Sequence, residues 1–263
     1  MTAYPTTFFG WVRLLLDNYG PLLLRGTWVT MVIALSGTVI GFIIGLLTAI
    51  VRTVPLKGKK WYVRLPMRLV TLLINIYIEV FRGTPMIVQS MVIFYGAMMI
   101  GLIGRRTPVL PVAVLIVSIN TGAYMAEIVR GGIISVDKGQ KEACAALGMT
   151  HWQSMVHVIL PQAVRNIMPA IGNEFVVNIK DSSVLNVISV GELYFTSKSA
   201  AGKYGRYFET FFITACIYLI LTFTVTRLLR LLEKHMDGRS TYTICGSQSD
   251  SRSNITVEEE AES

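Results

Sequence analysis

The stretch EVFRGTP, Glu79 to Pro85, interrupts an otherwise apolar run from Leu65 to Ile103, and its reading decides how many times the chain crosses a membrane. As one helix rising ~1.5 Å per residue, this run would be about 60 Å long, twice the ~30 Å hydrocarbon layer. Gly83 and Pro85 supply a break, because proline lacks an N–H and pushes the residue before it out of the helical region. The run is therefore either two separate spans or one kinked crossing whose first part lies in the interface or enters only partly.

Outward from this stretch the chain is mostly apolar. Its 263 residues are 52% hydrophobic and 15% charged, with a mean hydropathy of +0.55, too apolar for a soluble domain of this size. Uncharged stretches run from Gly26 to Val51, Gly83 to Gly104, Thr107 to Ala126 and Thr210 to Thr226. Each is close to the ~20 apolar residues that span a bilayer as a helix. A further span is required between Pro161 and Tyr194, where Glu174, Lys180 and Asp181 sit in an apolar run. A lipid-facing charge there would cost at least ~2.5 kcal/mol, so these side chains are expected to face protein or a water-filled cavity.

The net charge of +8 orients the chain, because Lys and Arg collect in cytoplasmic loops. With two spans in Leu65–Ile103 the count is 11 inside against 10 outside; with a single crossing it is 14 against 7. A single crossing is therefore preferred. The expectation is an all-α membrane protein of about five transmembrane helices, N-terminus outside and C-terminus cytoplasmic. Residues 1–25 carry Arg13, Asp17 and Arg25 without a signal-peptide core and read as an amphipathic segment on the outer face. Residues 26–236 form the transmembrane domain. The tail 237–263 is polar, ends in acidic residues and reads as disordered; its Asn254-Ile-Thr matches a glycosylation pattern but falls on the cytoplasmic side. Gly37, Gly41 and Gly45 form a smooth ridge, suited either to packing within the chain or to a dimer contact. Cys144, Cys216 and Cys245 are too irregularly spaced for a disulfide framework or metal site.

The largest cytoplasmic loop, about 135–161, contains QKEACAALGMTHWQSMVHVILP, Gln140 to Pro161. Asp137 with Gln140, and Thr150 with Gln153, are capping-box patterns that start two short helices; Gly148 ends the first and Pro161 disfavours an unbroken continuation of the second. Ala143 and Ala146 give the first helix a small face, with Leu147 beside it, able to enter a groove on another protein. The alternatives are a plain helix on the membrane surface and a DNA-binding helix-turn-helix; spans tether the loop on both sides and its face is not markedly basic, which argues against nucleic acid.

These residues resemble the EAA loop of ABC-transporter membrane subunits, with Glu142, Ala143, Gly148, Ile159 and Pro161 in the family's places and Cys144 standing for its second alanine. FRGTPMIVQ (81–89), NTGAYMAEIVRGGI (120–133) and GNEFVVNIKDSSVLNVISVGEL (172–193) are similar to the polar amino-acid permease branch of that group, the histidine/glutamine type. The resemblance covers about 20–236. It implies a permease subunit in a bacterial cytoplasmic membrane, itself not an enzyme and without a cofactor, since ATP is bound by a partner. It further implies a cytoplasmic ABC ATPase dimer, a second permease subunit (a copy or a paralogue), an extracytoplasmic substrate-binding protein and an amino-acid substrate. The coupling helix would use Glu142 as polar anchor, Ala143, Ala146 and Leu147 as contact surface and Gly148 as turn. His151 and His157 are expected to be surface or contact residues.

The transport path is expected where helices break at mid-membrane, at RGTP and KDSS. A zwitterionic amino acid in a dry site needs an acceptor for its ammonium and donors for its carboxylate. Asp181 can be the first; Thr84, Asn120 and Ser182 can be among the second. Asp181 is equally placed for an ion pair with Lys180 or Arg82, and Asn120 and Tyr124, four apart on one face, for hydrogen bonds between helices. A secondary transporter or channel working without an ATPase is the competing function, and a membrane scaffold a third.

Overall fold

The computed structural model describes residues 4–54, 60–104, 106–236, 242–245 and 254–257. Helix α1 runs unbroken from Phe8 to Thr53, 46 residues or about 70 Å. Thr7 starts it, its hydroxyl accepting from the Gly10 N–H at 3.2 Å. Residues up to 25 are thus not a separate surface segment. Pro21 removes one intrahelical donor, yet α1 passes through it, because no helix-stop signal follows and the flanking turns are held by neighbouring helices.

The break at EVFRGTP is present. Helix α2 (Trp61–Gly83) ends there and α3 (Met86–Met99) begins after Thr84 and Pro85, both in extended conformations. Helix α4 (Val109–Ser135) follows. A Cβ on Gly37 would lie 2.5 Å from Val117, one on Gly41 would lie 2.8 Å from Thr121, and one on Gly45 would overlap Met125. The glycine ridge is therefore filled by this chain's own α4, and the rising register on both sides shows that α1 and α4 run parallel. Helices α2 and α3 together must carry the chain back once between them.

After the loop, α5 (Lys138–Ala146) and α6 (His151–Ser154) lead into a π-helical turn, Met155–Ile159, and then α7 (Leu160–Asp181). The chain stays helical through Pro161, contrary to the expected break. Proline removes an N–H and crowds the carbonyl four residues back, and the wider π turn immediately before it makes room. Gly132 abuts Ile167 and Ala163, and Thr121 bonds to Asn178, so α7 runs antiparallel to α4. It ends in a 3₁₀ segment, Ser182–Ile188, closed by left-handed Ser189 (φ 63°). Helix α8 (Leu193–Tyr204) and α9 (Tyr207–Met236) follow; Gly172 packs on Leu229 and Ile179 with Val225, so α9 runs antiparallel to α7.

The described residues form five alternating legs: α1, α2 with α3, α4, α7 and α9. Among the described residues three helices, Phe8–Thr53, Val109–Ser135 and Tyr207–Leu232, are long and apolar enough to cross a membrane, and Met86–Met99 is apolar but shorter. Outward-facing leucines and phenylalanines, such as Leu35, Leu47, Leu69, Leu219 and Phe223, are exposed as a lipid-facing surface requires. Buried clusters hold the legs together, one of Ile33, Ile116, Val117, Leu185 and Ile188, another of Ala49, Val129, Ile133, Met155 and Ile159 towards the loop. Most of the tail read as disordered lies outside the described residues. Its described parts, β1 (Tyr242–Cys245) and β2 (Asn254–Val257), pair antiparallel, a regular element that the polar sequence gives no sign of.

Candidate functional site

Helix α5 is capped at both ends by its own sequence. The Asp137 carboxylate accepts from the Gly139 N–H at 2.7 Å; among the described residues neither bond of the expected Asp137–Gln140 capping box is present, and Asp137 acts as a simple N-cap. At the other end Gly148, with φ +72°, lets its own N–H reach the Ala145 carbonyl (3.0 Å) and the Met149 N–H reach the Cys144 carbonyl (3.0 Å). These bonds close a Schellman turn that satisfies the last carbonyls. The second capping box is complete: the Gln153 N–H donates to Thr150 Oγ1 at 3.3 Å and the Thr150 N–H to Gln153 Oε1 at 2.9 Å.

Between these caps Glu142, Ala143, Ala146 and Leu147 share the exposed side of α5, with Leu147 80% exposed. Cys144 points the other way and is buried, so the small residue at this place serves the chain's own packing rather than the exposed face. Leu147, Gly148, Met149, Gln153 and His157 line a shallow depression at the end of α5, and Trp152 of α6 is exposed. Behind the helix lies a cavity of about 460 Å³ bounded by Thr53, Ile133, Lys141 and Met155, which places the end of α1 on the loop's side of the molecule.

Just inside this end, Glu127 on α4 receives Arg52 of α1 on one carboxylate oxygen and Arg130 on the other, at 2.8 and 2.9 Å for the Arg130 bonds. Arg52 ties α1 to α4 where the loop begins, while Arg130 holds the same carboxylate from within α4. Sequence reasoning missed this cluster. Glu127 and Arg130 show an i,i+3 pairing, but nothing local points to Arg52.

At the α2–α3 break, Gln89 does what the sequence assigned to no residue. Its Nε2 lies 2.8 Å from the carbonyl oxygens of Phe81 and Thr84 and from Thr84 Oγ1, and its Oε1 accepts from Asn120 Nδ2 at 2.7 Å. Gln89 thereby reaches two of the carbonyls at the break, which lack helical partners there, and Thr84 and Asn120 join one network. Tyr124 lies under Arg82, whose guanidinium carbon is 5.7 Å from the ring centroid. Thus Arg82 is engaged by an aromatic face.

The other expected path residues lie at the end of α7. Asp181 is half-buried and, among the described residues, forms no salt bridge with Lys180 or Arg82 and no hydrogen bond with Thr84, Asn120 or Tyr124. Lys180 is exposed in a groove with Arg227 and Arg230. Ser182 is fully buried, donating to the Ile179 carbonyl at 2.9 Å with Thr30 of α1 at 3.5 Å. Beside it Glu192, fully buried, caps α8 by accepting from the Tyr194 and Phe195 N–H groups at 2.8 and 2.7 Å, while Tyr218 Oη donates to it at 3.3 Å. An acidic residue before an apolar helix is a capping signal that the sequence did carry.

Five alternating helical legs, polar breaks inside two of them, and a capped helix presented beyond their ends define a membrane transport subunit. Residues 41–238 match the family model described as "Binding-protein-dependent transport system inner membrane component", and the chain belongs to that family of inner-membrane permeases. It is 37% identical over 216 residues to the glutamine transport system permease protein GlnP of Escherichia coli (strain K12), covering 82% of this chain and 93% of that one. It is 32% identical over 216 residues to the arginine transport system permease protein ArtQ of Bacillus subtilis (strain 168), with the same coverage of 82% and 93%. Among solved structures, a crystal structure of an amino acid ABC transporter with histidines aligns at TM-score 0.73 and 37% identity, covering 84% of this chain and 97% of that one. The inward-facing methionine transporter MetNI aligns at TM-score 0.68 and 21% identity, a likeness of fold. The channel or secondary-transporter reading finds no support.

Proposed function

We propose that this chain is the membrane permease subunit of an ATP-driven importer of amino acids, docking a cytoplasmic ABC ATPase through α5 and receiving substrate from an extracytoplasmic binding protein. The observation that carries it is the exposed face of Glu142, Ala143, Ala146 and Leu147 on a helix fixed at both ends and anchored by buried Cys144. A partner that moves spans must grip something stiff. The amino-acid substrate is supported by the relatives' names and by the zwitterion-compatible groups at the two breaks, with Asp181 as the ammonium acceptor. The orientation, N-terminus outside and α5 cytoplasmic, follows the Lys/Arg count and the odd number of legs. A second permease subunit completes the path.

Glu142→Lys reverses the charge of the proposed anchor, and Gly148→Val forces a β-branched side chain into a left-handed turn. Losing a charge-assisted hydrogen bond of about 1.5–3 kcal/mol corresponds to a ten- to hundredfold weaker docking. Both variants are expected to insert and fold, with the strain of Gly148→Val confined to the end of α5, to lose co-purifying ATPase and to lose uptake. Full uptake with normal ATPase recovery in both would overturn the docking role of α5.

A further inference from the structure

At the end of the molecule opposite α5, the start of α1 meets the end of α8 and the start of α9. A cavity of about 640 Å³ opens there, walled by Tyr4, Pro5, Trp11, Lys203, Tyr204 and Arg206. Tyr4 stacks on the Trp11 indole, centroids 5.4 Å apart and planes 15° apart, and the Arg206 guanidinium carbon lies 4.4 Å over the same ring system. Lys203 Nζ sits 5.8 Å from the centroids of both Tyr19 and Tyr204. Among the described residues, Glu209 is the one carboxylate paired with these cations, 3.6 Å from Arg206, so the described lining carries an excess positive charge.

Trp11 is 4% exposed, yet its Nε1–H has no hydrogen-bond partner among the described residues. A buried donor left without an acceptor is costly and calls for one from outside the chain. Lys203 and Arg206 line the same cavity as Trp11, and a cationic pocket that also holds an unpaired indole N–H suits an oxyanion. Alongside, Phe8 packs on Phe208 and Phe212 at 5.7 and 5.4 Å, and Phe9 and Phe208 are 79% and 73% exposed. An apolar strip therefore continues from the cationic pocket along the same helix ends, the arrangement in which aromatic residues sit at a membrane interface.

We propose that this pocket is a phospholipid headgroup site: the phosphodiester accepts the Trp11 N–H between Lys203 and Arg206, and the acyl chains lie on Phe8, Phe9 and Phe208. The excess positive charge favours an anionic headgroup, and two-thirds-exposed Tyr4 is the cover that the headgroup moves aside. The site is independent of the transport reading, since lipid retention needs neither ATPase nor substrate.

The test is native mass spectrometry of the intact chain in detergent, titrated with phosphatidylglycerol, with phosphatidylcholine and with inorganic phosphate. One phosphatidylglycerol should be retained per chain, in preference to phosphatidylcholine and undisplaced by millimolar phosphate. Trp11→Phe removes the N–H while keeping an aromatic ring, and should weaken retention roughly tenfold or more. Lys203→Gln neutralises an exposed side chain and should weaken it in the same direction. In parallel, phosphatidylglycerol should raise the melting temperature of the unaltered chain and do so less for either variant. Equal retention by the unaltered chain and Lys203→Gln overturns the proposal. So does displacement by free phosphate, which would make this a soluble-anion site, or loss of binding-protein association in Lys203→Gln with lipid retention unchanged, which would make it a protein contact.

Discussion

Helix α1 is held on two sides in two different ways. Towards α4 it presents Gly37, Gly41 and Gly45, into which Val117, Thr121 and Met125 fit so closely that no Cβ could be added. Towards α7 it presents Thr30 and Thr38, which meet Ser182 and Asn178; Asn178 Nδ2 donates to Thr38 Oγ1 at 2.9 Å, and Thr121 of α4 donates to Asn178 Oδ1 at 3.0 Å. Lipid tails are as apolar as the helix faces, so there is no hydrophobic gain in pairing spans, and close packing or hydrogen bonds must do it. The first contact is fixed by volume and admits one arrangement. The second is fixed by direction, and its groups can exchange one partner for another. It is the α7 side that breaks into a 3₁₀ segment and carries half-buried Asp181, so the rigid seam frames the exchangeable one.

The largest effect is expected where volume decides. Gly45→Leu would drive a side chain into the backbone of Met125 and Ala126, where neither helix can move without losing the rest of the seam. Overpacking of this kind costs about 1–3 kcal/mol and sometimes more. The measurement is the yield of monodisperse folded protein and its melting temperature. Gly83→Ala is the control, because nothing lies within 4 Å of a Cβ there. If Gly45→Leu melts with the control, the seam is not the rigid member of the comparison.

Next comes Asp181→Asn, which removes a charge from the exchangeable side. Because no salt bridge to Lys180 or Arg82 holds Asp181 among the described residues, stability should be unchanged. Uptake should fall ten- to hundredfold, the loss of a charge-assisted bond of about 1.5–3 kcal/mol to the substrate ammonium. Substrate-stimulated ATP turnover in proteoliposomes, read beside the melting temperature of the same sample, separates the two roles. A drop in stability that neutralising Lys180 or Arg82 restores would make Asp181 a structural ion-pair member instead.

The two sides also differ in how far the sequence reveals them. The glycine ridge, the Gly83–Pro85 break, the Thr150–Gln153 box and the Gly148 turn are local patterns, legible because a few neighbouring residues dictate the backbone. The parallel course of α1 and α4 requires an odd number of returns between them, and the Lys/Arg count favours one because topology is a property of whole loops. The continuity of α1 through Pro21 and of the helix through Pro161 was not legible, because tertiary packing overrides a single proline's preference. Nor were the polar bonds between distant segments: Gln89 to Asn120, Asn178 to Thr121 and to Thr38, and Arg52 to Glu127 span 31, 57, 140 and 75 residues. A polar residue in a span announces that it needs a partner without saying which. That is also why Ser182 looked available to substrate while in the fold it is buried against α1.

The smallest effect is expected at the centre of the polar side. Asn178→Ala removes an acceptor from Thr121 and a donor to Thr38, but both threonines have other options. Thr38 already donates to the Ala34 carbonyl at 2.7 Å, and Thr121 can turn its hydroxyl to the carbonyl one turn back, as Ser and Thr in helices commonly do. Side-chain hydrogen bonds between membrane helices average about 0.6 kcal/mol and reach about 1.7, so two partly replaced bonds should cost about 1 kcal/mol. A double-mutant cycle with Thr121→Val measures the shared part directly. A coupling of a few tenths of a kcal/mol means that Thr121 finds its new acceptor and that this side of α1 is held by exchangeable bonds. A coupling near 2 kcal/mol or above would mean that Asn178 locks α4 and α7 as firmly as the glycines lock α1 and α4, and the distinction between a rigid seam and an exchangeable one would be lost.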